Sequence, residues 1–150
     1  MGLAQLHEFL KRQSILAIDS CVFIYQMEAN SRYVSLTNEV LSWLQRPRSR
    51  GIASTITMTE LLVQPYRQQN FSRVDEFYVL LSTFPNLNWV SPSLEIADLA
   101  ARIRGQHGLR TPDALLAATA IRSSGTGLIT NDAAFRKVPG IEVAILDQWL

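Results

Sequence analysis

Cysteine is almost absent: Cys21 is the only one in 150 residues. No disulfide can form within the chain, and a reducing cytoplasm is the expected compartment. Histidine is nearly as scarce: neither His7 nor His107 has a partner at ligand spacing, and neither is given a role. Lysine supplies only Lys11 and Lys137 of the fourteen bases; the other twelve are arginine, the better bidentate ligand for phosphate. Long apolar runs are missing too. A membrane span needs ~18–20 consecutive apolar residues, and the longest stretch here, 114–121, contains Thr119. Glu8 interrupts any signal-peptide core. These absences predict a soluble, cytoplasmic protein with no membrane partner.

What is present describes one compact unit, expected to span residues 1–150, with residues 1–14 as an extra N-terminal helix. Hydrophobic residues make up 47% and charged residues 18%, which excludes a disordered chain. Leu3, Leu6, Phe9 and Leu10 recur at helical spacing. Residues 15–18 form a short apolar run, read as a strand buried on both faces and ending at Asp19. Further strands are predicted at 51–54, 87–90, 127–130 and 141–146. Helices are predicted at 22–28, 33–44, 58–66, 71–84, 94–106 and 111–122. Strands alternating with helices imply an α/β fold with a mainly parallel central sheet and helices on both faces. Sites in such sheets form beyond the carboxyl ends of the strands.

Four of the thirteen acids fall at matching positions. Asp19 and Asp132 each follow a strand directly. Glu60 and Asp113 fall in the first turn of the helices predicted from 58 and 111. Taken singly, each has a structural explanation: Asp19 and Asp132 as N-caps, Thr57-Met58-Thr59-Glu60 as a capping box, and Asp113 after Thr111-Pro112 as an acid favoured by the helix dipole. Taken together, the four would converge on one crevice and repel one another unless a cation neutralised them. An all-oxygen set without His or Cys suits a hard ion, Mg²⁺ or Mn²⁺. Committing four acids in this way would leave nine to face the fourteen bases.

The residues around these acids resemble the motifs of PIN domains. Asp19-Ser20-Cys21-Val22-Phe23-Ile24-Tyr25 is similar to the first motif, and Ile56-Thr57-Met58-Thr59-Glu60-Leu61-Leu62 to the second. Thr111-Pro112-Asp113-Ala114-Leu115-Leu116-Ala117-Ala118-Thr119-Ala120 strongly resembles the third, and Leu128-Ile129-Thr130-Asn131-Asp132 the fourth. Within that family the chain looks like the VapC-type toxins of toxin–antitoxin pairs, although some fourteen residues precede the first strand and Cys21 stands where Asn is common. The resemblance implies a metal-dependent endoribonuclease. It implies RNA as substrate, a VapB-like antitoxin as partner and a homodimer. Asp19, Asp113 and Asp132 would be metal ligands, with Glu60 a ligand or partner of the attacking water. Ser20 and Thr130 are secondary candidates for holding water or phosphate, and Arg110 for meeting RNA phosphate. The 46–50 turn, with three arginines, is a further candidate RNA contact. Trp43, Trp89 and Trp149 are expected to pack in the core or an interface.

Other readings are weaker. A haloacid-dehalogenase-type phosphatase needs a second Asp at the position of Cys21, and a receiver domain needs a strand-end lysine. The main alternative is a catalytically inactive PIN-fold module that binds RNA or protein.

Overall fold

The computed structural model describes residues 2–150. Its centre is a five-stranded, wholly parallel sheet in the order β3-β2-β1-β4-β5. The strands are β1 (Leu16–Ile18), β2 (Gly51–Ser54), β3 (Leu87–Val90), β4 (Gly127–Thr130) and β5 (Glu142–Ile145). Every residue of β1, β2 and β4 is buried, as expected for strands covered on both faces. Seven helices provide the cover: α1 (Gly2–Lys11), α2 (Ser20–Met27), α3 (Val34–Leu44), α4 (Thr55–Arg67), α5 (Phe71–Ser82), α6 (Leu94–His107) and α7 (Thr111–Arg122).

The two-residue alternation of a strand divides the core. Leu16, Ile18 and Ile129 pack with side chains of α1 to α5. Ala17 and Leu128 face the other way, onto Ile96, Ala100 and Ile103 of α6 and Ala114 and Ala117 of α7. The α/β prediction with helices on both faces holds, and the parallel character is complete. None of these helices is long and apolar enough to cross a membrane.

Several boundaries differ from the sequence expectation, each for a local reason. Helix α4 starts at Thr55, where Met58 was expected. Ser54, the last residue of β2, is its N-cap and accepts from the Ile56 N–H at 3.2 Å. Glu60 therefore sits in the second turn, and the expected Thr57–Glu60 capping box does not form. Arg110 occupies the N-cap position of α7 without a side-chain capping bond, so Thr111 and Pro112 lie inside the first turn. Helix α6 runs through Gly105 and stops at Gly108, whose φ of 72° provides a left-handed cap. The last strand ends at Ile145, and a 3₁₀ turn, Leu146–Trp149, follows it. A second 3₁₀ turn, Ala133–Lys137, follows Asp132.

The N-terminal helix is built into the core. Leu6, Phe9 and Leu10 are buried, and the Phe9 and Trp149 rings lie 5.7 Å apart. His7 Nε2 and Glu39 Oε2 are 2.6 Å apart, and Arg12 pairs with Glu142 at 2.8 Å. Trp43 is buried, and Trp89 donates to the Leu81 carbonyl at 3.0 Å, so all three tryptophans pack rather than present a face. The basic 46–50 turn enters β2 at its amino end. The four acids lie beyond the carboxyl ends, about 13 Å away at ~3.3 Å per residue, so this turn is not a wall of their site. Replacing Phe9 with Ala should cost about 3 kcal/mol, whereas Arg12→Ala at an exposed pair should cost under ~1 kcal/mol. Urea denaturation of the two variants measures both.

Candidate active site

The chain runs from β1 outward to β2 and β3, then returns to place β4 on the other side of β1. That reversal opens a crevice at the carboxyl ends of β1 and β4, the topological switch point. Asp19 enters it from β1. Its Oδ1 accepts from the Ser20 N–H at 2.7 Å, capping α2, and its Oδ2 accepts from the Thr130 hydroxyl at 2.7 Å. The same Thr130 oxygen accepts from the Asp132 N–H at 3.1 Å. Thr130 is fully buried at the end of β4, so one hydroxyl ties the two strand-end acids together. Asp132 in turn accepts from the Ala134 N–H at 2.9 Å, capping its 3₁₀ turn.

Asp113, the third residue of α7, is buried and accepts from Arg110 Nε at 3.2 Å. Glu60 enters from α4, and among the described residues its carboxylate has no hydrogen-bond or ion-pair partner. All seven residues singled out from the sequence line one cleft of about 230 Å³. A larger hollow of about 590 Å³ lies between α1 and β5, but it brings together no comparable set of acids.

A comparison with known families places residues 16–141 in a match to the PIN domain. The chain belongs to the PIN domain family. Solved structures agree on the fold. The chain is similar to a toxin–antitoxin complex from Klebsiella pneumoniae, with 23% identity and a TM-score of 0.66 over 87% of this chain and 97% of that one. It is also similar to VapBC-1 from nontypeable Haemophilus influenzae, at 22% and 0.68 over 89% and 98%. For VapBC2 from Rickettsia felis, bound to a DNA fragment from its promoter, the values are 20% and 0.66 over 87% and 98%. No curated protein matches in sequence.

Within this PIN domain the acids share one field. Burial raises Asp19 above the ordinary aspartate range and the Asp113 charge adds to it, while hydrogen bonds from Thr130 and Ser20 oppose the rise. Asp113 is raised by burial and by Asp132, against the pull of Arg110. Glu60 is raised by partial desolvation, then by Asp19 and Asp113. Arg110 is the one base in the cleft, and Asp113 dominates the charges it feels, with Asp132 and Glu60 contributing. Among the described residues no three His, Cys, Asp or Glu side chains, as they stand, are grouped so as to hold a metal ion. Asp19, Asp113 and Asp132 are each drawn onto a protein donor instead.

Sequence reasoning gave no role to Tyr25 and Asn131, which line the same cleft; Cys21, singled out as a departure from the family pattern, lines it too. Cys21 and Tyr25 stand four apart on α2, the helical repeat that puts both on one face, and that spacing was available as a signal. Burial and the Asp19 charge push the Cys21 thiol up to about 12, which holds it in the protonated, weakly nucleophilic form at neutral pH.

The raised carboxyls have a consequence for stability. An acid whose native pKa lies above its unfolded value keeps its proton longer in the native state, so stability falls as pH rises through that window. For Asp19 the window opens near ~3.9 and extends up to the raised native value. Asp19→Asn removes this contribution. In thermal melts with EDTA, the melting temperature of Asp19→Asn minus that of the wild type should increase as pH rises from acid to neutral. A difference independent of pH would contradict the electrostatic picture.

Proposed function

We propose that this PIN domain is a Mg²⁺- or Mn²⁺-dependent endoribonuclease of the VapC type, the toxin of a cytoplasmic toxin–antitoxin pair. The observation that carries the reading is the meeting of Asp19, Glu60, Asp113 and Asp132 in one cleft at the sheet's switch point. The donor set fits a hard divalent ion. It is all oxygen, burial and neighbouring carboxylates raise the pKa of Asp19, Glu60 and Asp113, and Asp113 and Asp132 each use one carboxylate oxygen on a protein donor. Asp19, Asp113 and Asp132 would hold the ion. When bound, it would neutralise charge on the scissile phosphate and lower the pKa of a water.

The remaining roles follow from what each side chain already does. Glu60 has no competing partner and a raised pKa, which suits a group that takes a proton from the attacking water. Arg110, exposed on the rim, can move from Asp113 to a non-bridging phosphate oxygen, as a planar guanidinium readily does. The Thr130 hydroxyl is committed to Asp19 and orients it. The Ser20 hydroxyl makes only a long 3.4 Å contact with Asp19 and stays available to water or phosphate.

A VapB-like antitoxin covering the cleft is the proposed partner, and the similar structures are themselves toxin–antitoxin complexes. A homodimer is proposed through α5, where Phe71, Tyr78 and Val79 are exposed while Val74, Phe77 and Leu81 turn inward. The apolar face of α1 is committed to the core.

The test is cleavage of a total RNA pool by the full chain. Cleavage should need Mg²⁺ or Mn²⁺ and stop with EDTA. Glu60→Gln should lower kcat by about 10²–10⁴-fold. Asp113→Asn should lose both cleavage and Mn²⁺ binding. Arg110→Ala should chiefly raise KM and reduce the salt dependence by about one unit of slope. Metal-dependent cleavage that survives both Asp19→Asn and Asp113→Asn would overturn the site. Mn²⁺ binding without cleavage of any RNA would favour the inactive binding module.

A further inference from the structure

Four residues close a ring beside the cleft. Tyr25 of α2 and Tyr33, the residue before α3, stack with ring centroids 4.2 Å apart and planes 11° from parallel. The Tyr33 phenol donates to Asp147 Oδ1 at 2.7 Å. The Asp147 backbone N–H donates to Asn131 Oδ1 at 2.9 Å. Asn131 Nδ2 donates to the Tyr25 phenol oxygen at 3.3 Å, which completes the circuit. Asn131 lies between Thr130, whose hydroxyl serves both strand-end acids, and Asp132 itself. The segment carrying Asp132 is the start of a short 3₁₀ turn, a conformation with poor hydrogen-bond geometry of its own. It needs support from outside, and the ring supplies it.

We propose that Tyr33, Asp147 and Asn131 are positioning residues that set the Asp132 carboxylate for divalent-cation binding. This inference rests on the metal-binding reading of the cleft. Asp147 lies in the C-terminal 3₁₀ turn, outside the 16–141 stretch that matches the family. That turn is anchored by buried Trp149, which packs against Phe9 of α1. The N-terminal helix therefore reaches the cleft through four contacts: Phe9 to Trp149, along the turn to Asp147, across to Asn131, and into Asp132. The Arg32 guanidinium lies 5.6 Å from the centroid of the Tyr33 ring.

The test is calorimetric titration of Mn²⁺ into the full chain at a temperature well below the melting point of each variant. Tyr33→Phe keeps the stacked ring and removes only the donor; Asp147→Ala removes the acceptor. Each should weaken Mn²⁺ binding by about tenfold, as loss of a group that orients a metal ligand does. Asp147→Asn keeps an acceptor oxygen while losing the charge, and should stay within about twofold of wild type on that account. The double variant Tyr33→Phe/Asp147→Ala should be no worse than either single one, because both break the same bond. Unchanged affinity in Tyr33→Phe, equal losses in Asp147→Asn and Asp147→Ala, or additive losses in the double variant would each overturn the proposal. If the wild type itself binds no Mn²⁺, the metal reading falls and takes this inference with it. If wild type binds and all variants match it, only the positioning role falls.

Discussion

A single buried hydroxyl organises the cleft. Thr130 donates to Asp19 and accepts from the Asp132 N–H, so the ends of β1 and β4 carry their acids in a set relation. The bond is possible because these strands are direct neighbours, with Ile18 beside Ile129. They are neighbours because the chain reverses its direction of travel across the sheet between β3 and β4. Replacing Thr130 with Val would keep the shape of the core and leave Asp19 with one hydrogen bond fewer. A buried carboxylate deprived of a donor is costly, and here it would also lose its orientation.

The same arrangement carries a conflict between stability and chemistry. Burial and mutual repulsion hold Asp19, Asp113 and Glu60 above their ordinary pKa values, so each opposes the charged state in the absence of a cation. The protein offsets part of this with its own groups: the α2 N-terminus and Thr130 for Asp19, and Arg110 for Asp113. Glu60 accepts no hydrogen bond among the described residues, and only the more distant Arg110 charge opposes its rise. Perturbed carboxyl groups of this kind mark functional sites, and here they coincide with the PIN motifs.

Much of this was legible in the sequence because β1 and β4 are short, apolar and buried on both faces, so each runs visibly into polar residues. The acids at 19 and 132 could be placed for that reason. The start of α4 could not. Thr55-Ile56-Thr57 is a β-branched run with weak helix propensity, and it follows a strand, so it concealed the Ser54 cap and moved Glu60 by most of a turn. The capping box that seemed to explain Glu60 vanished with that correction. The Tyr25–Asn131 and Tyr33–Asp147 bonds span sequence separations of 106 and 114, and no local pattern announces contacts of that range. The fate of α1 was hidden likewise, since its partners Trp149 and Glu142 lie at the other end of the chain.

The central proposal is that Asp19, Asp113 and Asp132 bind a hard divalent ion where β1 and β4 diverge. Anomalous scattering from a crystal of the full chain grown with Mn²⁺ tests it most directly. The account predicts a manganese peak in the cleft within coordination distance of at least two of the three carboxylates, at about 2.0–2.3 Å, and its loss in Asp113→Asn. A peak elsewhere on the molecule, or none at saturating Mn²⁺, would contradict it.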